Sequence, residues 1–161
     1  DIWCFMRESY LRKHGPAKNW ERWLYQRDSE GFETEPAIQI EHPIKMWMVE
    51  KNKNYDYIAR SGKRIGLAVD DRWGGGKPQD VAIKVTYFDV GTGAVELGVR
   101  TQHGPIKRII NLTGSGRLKT VTFFIEKAVF SAKGMEHDLV LQGLENDAII
   151  SFMRVIRGGK Q

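Results

Sequence analysis

From Tyr55 onward, hydrophobic and polar positions alternate in short runs broken by glycine-rich stretches. Ile65, Leu67 and Val69 fall on one side of an extended segment. In residues 80–89, Val81, Ile83, Val85 and Tyr87 share one face, with Ala82, Lys84, Thr86 and Phe88 on the other. Residues 95–100, 106–112, 118–125, 137–141 and 148–156 repeat the pattern. A period of two is what a strand with one buried face imposes, and the enrichment in Val, Ile, Thr, Tyr and Phe agrees.

The breaks carry turn chemistry: Gly74-Gly75-Gly76-Lys77-Pro78, Gly91-Thr92-Gly93, Gly114-Ser115-Gly116 and residues 143–147. Seven or eight strands with no long helix between them predict an all-β protein, an antiparallel, jelly-roll-like β-sandwich. A parallel α/β fold lacks its crossover helices here, and a barrel is the weaker closure.

Residues 1–54 read differently, as a partly irregular N-terminal extension packed on the 55–161 sandwich and adding one or two strands to it. Trp20, Trp23 and Leu24 have helical spacing, Gly15-Pro16 interrupts any longer helix, and residues 44–49 read as a strand. The chain opens at Asp1 on the apolar run Ile2-Trp3-Cys4-Phe5-Met6, which reads as a piece cut from a larger polypeptide.

Composition narrows the classes. With 5 Trp, 5 Tyr and 7 Phe the chain is too aromatic for a disordered one. No apolar run approaches the length of a membrane-spanning helix. Cys4 has no partner, which excludes an intrachain disulfide and a Cys-rich zinc site. Residues 1–53 hold 9 basic and 9 acidic side chains, so the net +5 resides in the remainder. That balance suits an anionic partner, while the absence of a basic run, a recognition helix or an RNA-stacking motif argues against nucleic acid.

Catalytic motifs are missing. Pro78 follows Lys77 where a phosphate-binding loop needs Ser or Thr and a helix, no Gly-x-Ser-x-Gly elbow occurs, and His14, His42, His103 and His137 lack metal-ligand spacing and read as turn or surface residues. Asp70 and Asp71 are adjacent, so on a strand they would point to opposite faces; Asp89, Glu96, Asp138 and Asp147 are the other carboxylates to weigh as a catalytic pair. Loop carboxylates and carbonyls of this kind also suit a structural Ca²⁺.

The aromatic residues give the remaining signal. Trp73 stands in the polar glycine loop Asp70-Asp71-Arg72-Trp73-Gly74. Two readings are open there: a ring that stacks on the apolar face of a sugar, and a ring folded back onto the domain edge. In the first, Asp71, Arg72, Trp73, Lys84 and Arg100 form the carbohydrate site, with the cations meeting anionic or hydroxyl groups. Arg64, Thr86 and Phe88 belong to the same polar strand faces.

The runs Tyr55-Asp56-Tyr57-Ile58-Ala59-Arg60, Val69-Asp70-Asp71-Arg72-Trp73, Ile83-Lys84-Val85-Thr86-Tyr87-Phe88-Asp89-Val90-Gly91-Thr92-Gly93 and Leu118-Lys119-Thr120-Val121-Thr122-Phe123-Phe124-Ile125 resemble non-catalytic β-sandwich carbohydrate-binding modules appended to bacterial polysaccharide-degrading enzymes. The closing Asp138-Leu139-Val140-Leu141 and Ile149-Ile150-Ser151-Phe152-Met153-Arg154-Val155 are similar to their last two strands. The likeness covers about residues 55–157, and at Gly98-Val99-Arg100 the chain departs from the aromatic-rich strand of many relatives. The resemblance implies a secreted or cell-surface bacterial module that binds a polysaccharide or oligosaccharide beside the catalytic domain of the same polypeptide and is not itself an enzyme. The positive balance directs that expectation to an acidic or sulfated algal glycan. The alternative is a structural spacer that binds no sugar and packs on its catalytic neighbour through Trp20, Trp23 and Trp47.

Overall fold

The computed structural model describes residues 24–39, 58–134 and 136–158. Among them are ten strands and one short helix: β1 (Leu24–Gln26), β2 (Glu35–Gln39), β3 (Ile58–Gly62), β4 (Arg64–Val69), α1 (Asp71–Gly74), β5 (Gln79–Phe88), β6 (Gly93–Thr101), β7 (Gly104–Leu112), β8 (Leu118–Ala128), β9 (Leu139–Gly143) and β10 (Ala148–Arg157). All pairings are antiparallel.

The strands form two layers. One runs β1-β4-β9-β6-β7 and the other β2-β3-β10-β5-β8, and a single residue pair, Thr101 with Ala128, joins them. Without β1 and β2, the two four-stranded orders β4-β9-β6-β7 and β3-β10-β5-β8 are those of an eight-stranded jelly roll. The all-β sandwich expected from the alternation is therefore the observed fold.

The inner faces supply one continuous core. Ile65, Leu67, Leu97, Leu139 and Leu141 of the first sheet meet Val81, Ile83, Val85, Ile150, Met153 and Val155 of the second, all buried. Removing these side chains from water is the main favourable term of folding. Val81, Ile83, Val85 and Tyr87 face inward as their spacing requires.

Where the two sheets join, β8 carries an irregularity opposite Gln79 and Val81. Lys127 adopts φ 53° there, and its N–H donates to Asp80 Oδ1 at 2.9 Å. A bulge bends a strand and increases its twist, which lets the end of β8 leave β5 and reach β6. The alternation ends at Ile125, so the sequence pattern stops short of this corner.

At the opposite side, β1 adds to β4 and β2 adds to β3, so residues 27–34 cross between the sheets outside the tight β3–β4 connection. Leu24 is the first residue of β1 and is buried, which corrects the helical spacing read through Trp20, Trp23 and Leu24 at its last position. Trp20, Trp23, Trp47, Cys4, His14, His42 and the strand expected at 44–49 lie outside the described residues.

Candidate functional site

Trp73 lies in α1 rather than in an open loop. Asp70 accepts a hydrogen bond from the Arg72 N–H at 2.9 Å and a bidentate pair from the Arg72 guanidinium at 3.0 and 2.8 Å. Burial works to raise the Asp70 pKa, but the hydrogen bonds and charge of Arg72 outweigh it and hold the carboxyl below its usual range. Gly75, at φ 62°, closes the turn by donating to the Asp71 carbonyl. This capped turn directs the indole into the core.

There Trp73 is 3% exposed, tilted against Phe130 with centroids 6.1 Å apart. The Arg157 guanidinium lies over the ring at 4.6 Å and also donates to the Trp73 carbonyl. The ring is buried, so the edge-packing reading is the observed one and Trp73 offers no stacking surface. Asp71 and Arg72 stay exposed beside it.

The other proposed site residues do not converge. Lys84 stands on the outer face of β5, whereas Arg100 stands on the outer face of β6 in the other sheet. The thickness of the sandwich separates them, so Asp71, Arg72, Trp73, Lys84 and Arg100 do not form one site. Arg64 is placed apart again, its guanidinium 4.1 Å from the Phe32 ring centroid.

Lys84, Thr86 and Phe88 are brought together on one surface. Register sets Thr122, Thr120 and Leu118 of β8 beside them, with Phe124 beside Ala82. On the far side of β5, Phe152, Arg154 and Ile156 of β10 align with Thr86, Lys84 and Ala82. Thr86 and Thr120 join hydroxyls at 2.8 Å. Phe124 is 44% exposed, although its apolar character would favour burial. From Leu118 to Phe124 this array runs about 20 Å.

The buried carboxylates are committed elsewhere. Asp89 accepts from the backbone N–H and hydroxyl of both Thr113 and Ser115 and pairs with Lys119 Nζ at 2.7 Å. Lys119, then the two hydroxyls, hold its carboxyl far below the ordinary carboxylate range. Asp138 accepts from Val69 N and Ala132 N, both at 2.9 Å, which ties the end of β4 to the loop before β9. Burial raises its pKa against the pull of those N–H donors. Glu96 pairs with Lys107 at 2.9 Å.

Among the described residues no three His, Cys, Asp or Glu side chains gather as metal ligands. The Asp89 carboxylate, one of those weighed for Ca²⁺, is paired with the Lys119 ammonium.

Sequence reasoning missed His137, which is packed rather than loose on a turn. Its ring lies over Gly66, where an added Cβ would collide with it, and 4.2 Å from Phe32. Nε2 meets Ser29 Oγ at 3.1 Å, while Nδ1 is buried without a hydrogen bond among the described residues. Burial, then the charges of Arg27 and Arg64, lower its pKa. Gly66 within an otherwise apolar strand was the available signal.

No protein-family model and no curated protein matches the sequence. Among solved structures, an arabinose-bound α-L-arabinofuranosidase superposes with a TM-score of 0.41 and 13% identity over 84% of this chain. The chain spans 23% of the length of that enzyme. A likeness this distant assigns no activity to the chain.

Proposed function

We propose that this chain is a non-catalytic polysaccharide-binding module whose ligand lies along the outer face of β8, β5 and β10. The observation that carries the reading is Phe124, an exposed aromatic in register with a hydroxyl- and cation-bearing sheet face. An aromatic ring left in water on a flat sheet suits the apolar face of a sugar ring. The Thr86–Thr120 pair and Thr122 supply hydroxyls for the sugar's own, and Lys84 supplies charge.

The array Leu118, Thr120, Thr122, Phe124, Ala82, Lys84, Thr86, Phe88, Phe152, Arg154 and Ile156 holds two cations, Lys84 and Arg154, aligned on neighbouring strands, with the exposed carboxylates of Asp80 and Glu126 at the end beyond Ala82 and Phe124. The aligned cations suit an acidic or sulfated glycan. The commitment of Asp89 and Asp138 to backbone and hydroxyl donors supports a passive role, since neither is left to act as acid or base. A module of this kind holds an attached catalytic domain near its substrate by raising local concentration, in a secreted or cell-surface setting.

Affinity electrophoresis through gels carrying carrageenan, alginate or neutral agarose tests the proposal. Migration should be retarded most by the charged polymers, and Phe124→Ala should weaken retention at least tenfold with an unchanged melting temperature. Unretarded migration in every gel, or full retention by Phe124→Ala, would refute it; the first outcome would favour the spacer.

A further inference from the structure

Glycine in the middle of a strand surrenders both conformational restraint and a packing side chain, so its presence needs a cause. Ten of the described glycines have positive φ. Four more lack room for a Cβ: at Gly62 it would stand 2.7 Å from the Glu33 carbonyl oxygen, at Gly74 2.9 Å from Phe130 Cβ, at Gly66 within the His137 ring, and at Gly143 against the Asn146 carbonyl. Gly98 is what is left. It lies mid-strand in β6 without positive φ, and a Cβ there would meet only the Val140 carbonyl oxygen, at 3.8 Å. Neither backbone nor packing accounts for it.

Its surroundings suggest what does. Gly98 pairs with Lys107 of β7 on one side and Val140 of β9 on the other. The missing side chain leaves a gap between those two residues, whose backbones stand two strand spacings, about 10 Å, apart. Glu96 and Arg100 stand above and below it on β6, and Gln142 is opposite Glu96. Glu96 and Lys107 form an ion pair along one wall. In the same row of the sheet, beyond Val140, comes Gly66. There the protein shows what such a bare floor accommodates, because the His137 ring rests on it.

We propose that Gly98 is the floor of a second saccharide site, on the sheet opposite the Phe124 face, that accepts one six-membered sugar ring lying flat on the backbone. The Gly98 Cα takes the apolar face of the ring, and Val140 borders its edge. Gln142, Glu96 and Lys107 address its hydroxyls, and Arg100 meets a sulfate or carboxylate substituent. The site rests on the reading of the chain as a glycan-binding module.

The test is amide NMR of the whole chain titrated with a sulfated galactan tetrasaccharide and with its desulfated form. The Gly98, Lys107 and Val140 resonances should shift saturably, and more tightly for the sulfated probe. Gly98→Val should weaken that response at least tenfold while leaving the melting temperature equal or higher, since the added carbons enter open space. Gly98→Ala serves the same purpose with a smaller insertion, and Phe124→Ala should leave the response intact. Shifts confined to the Phe124 face, or an undiminished response in Gly98→Val, would overturn the slot alone. Shifts at Gly98 alone would uphold the slot and overturn the Phe124 platform. No shift on either face would overturn both.

Discussion

Replacing Asp138 by alanine separates a structural carboxylate from a chemical one. Its oxygens accept from Val69 N and Ala132 N at 2.9 Å each, and both of those residues are buried. Truncation orphans two buried donors at about 1–3 kcal/mol each. Losing a buried carboxylate returns part of that, because burial already disfavours its charge. The expected net loss is about 2–4 kcal/mol, a large share of a domain's total stability. Urea denaturation should show a lower midpoint at unchanged slope. Asp138→Asn should fare little better, since its amide nitrogen would confront one of the two N–H groups. The sign of the pH dependence follows from a folded pKa raised above 3.8. The contribution of Asp138 is fullest below that value and declines as pH rises through the folded pKa, so the margin of wild type over Asp138→Ala narrows in that direction. A loss below about 0.5 kcal/mol, the range of ordinary surface substitutions, would show that these hydrogen bonds do not hold the loop to β4.

Trp73→Ala should cost about 3–5 kcal/mol by opening a cavity beside Phe130. Glycan retention per folded molecule should be unchanged, which calorimetry and affinity electrophoresis on the same sample would check. His137 has a lowered folded pKa, so its stabilising contribution is complete above 6.5 and is lost as pH falls through the folded value. Thermal melts between pH 7.5 and 5 should show wild type losing stability more steeply than His137→Gln, and parallel curves would remove the ring from that role.

The fold was legible because both sheets bury one face, and a buried face forces a period of two on the residues that form it. Val81, Ile83, Val85 and Tyr87 were assigned correctly for that reason. The corner at Lys127 was not, because a bulge is a local break in alternation and looks like the end of a strand. Leu24 was misread since three residues of edge strand carry too little pattern to outweigh a neighbouring helical spacing. Trp73 was ambiguous for a different cause: whether a ring beside glycines turns in or out depends on Asp70 capping a single turn and on Phe130, distant in sequence. Lys84 and Arg100 each read as outward-facing, and both are. Their separation onto opposite sheets follows from jelly-roll strand order, which alternation does not encode.

That strand order also decides where a ligand has room. At the end of the sandwich near Gly91, the Asp89 carboxylate draws in Thr113, Ser115 and Lys119 and fills the space between loops. At the other, Asp138 binds the 131–132 segment to β4, and α1 turns Trp73 inward beneath Arg157. Along the β4 edge, Phe32 and His137 cover the outer face of the first sheet. Among the described residues, the exposed surface includes two stretches of sheet: the β8–β5 face with Phe124, and the β6–β7 face with Gly98 between Lys107 and Val140. If both faces bind glycan as proposed, their placement on opposite sheets lets one module bridge neighbouring chains of the same polymer.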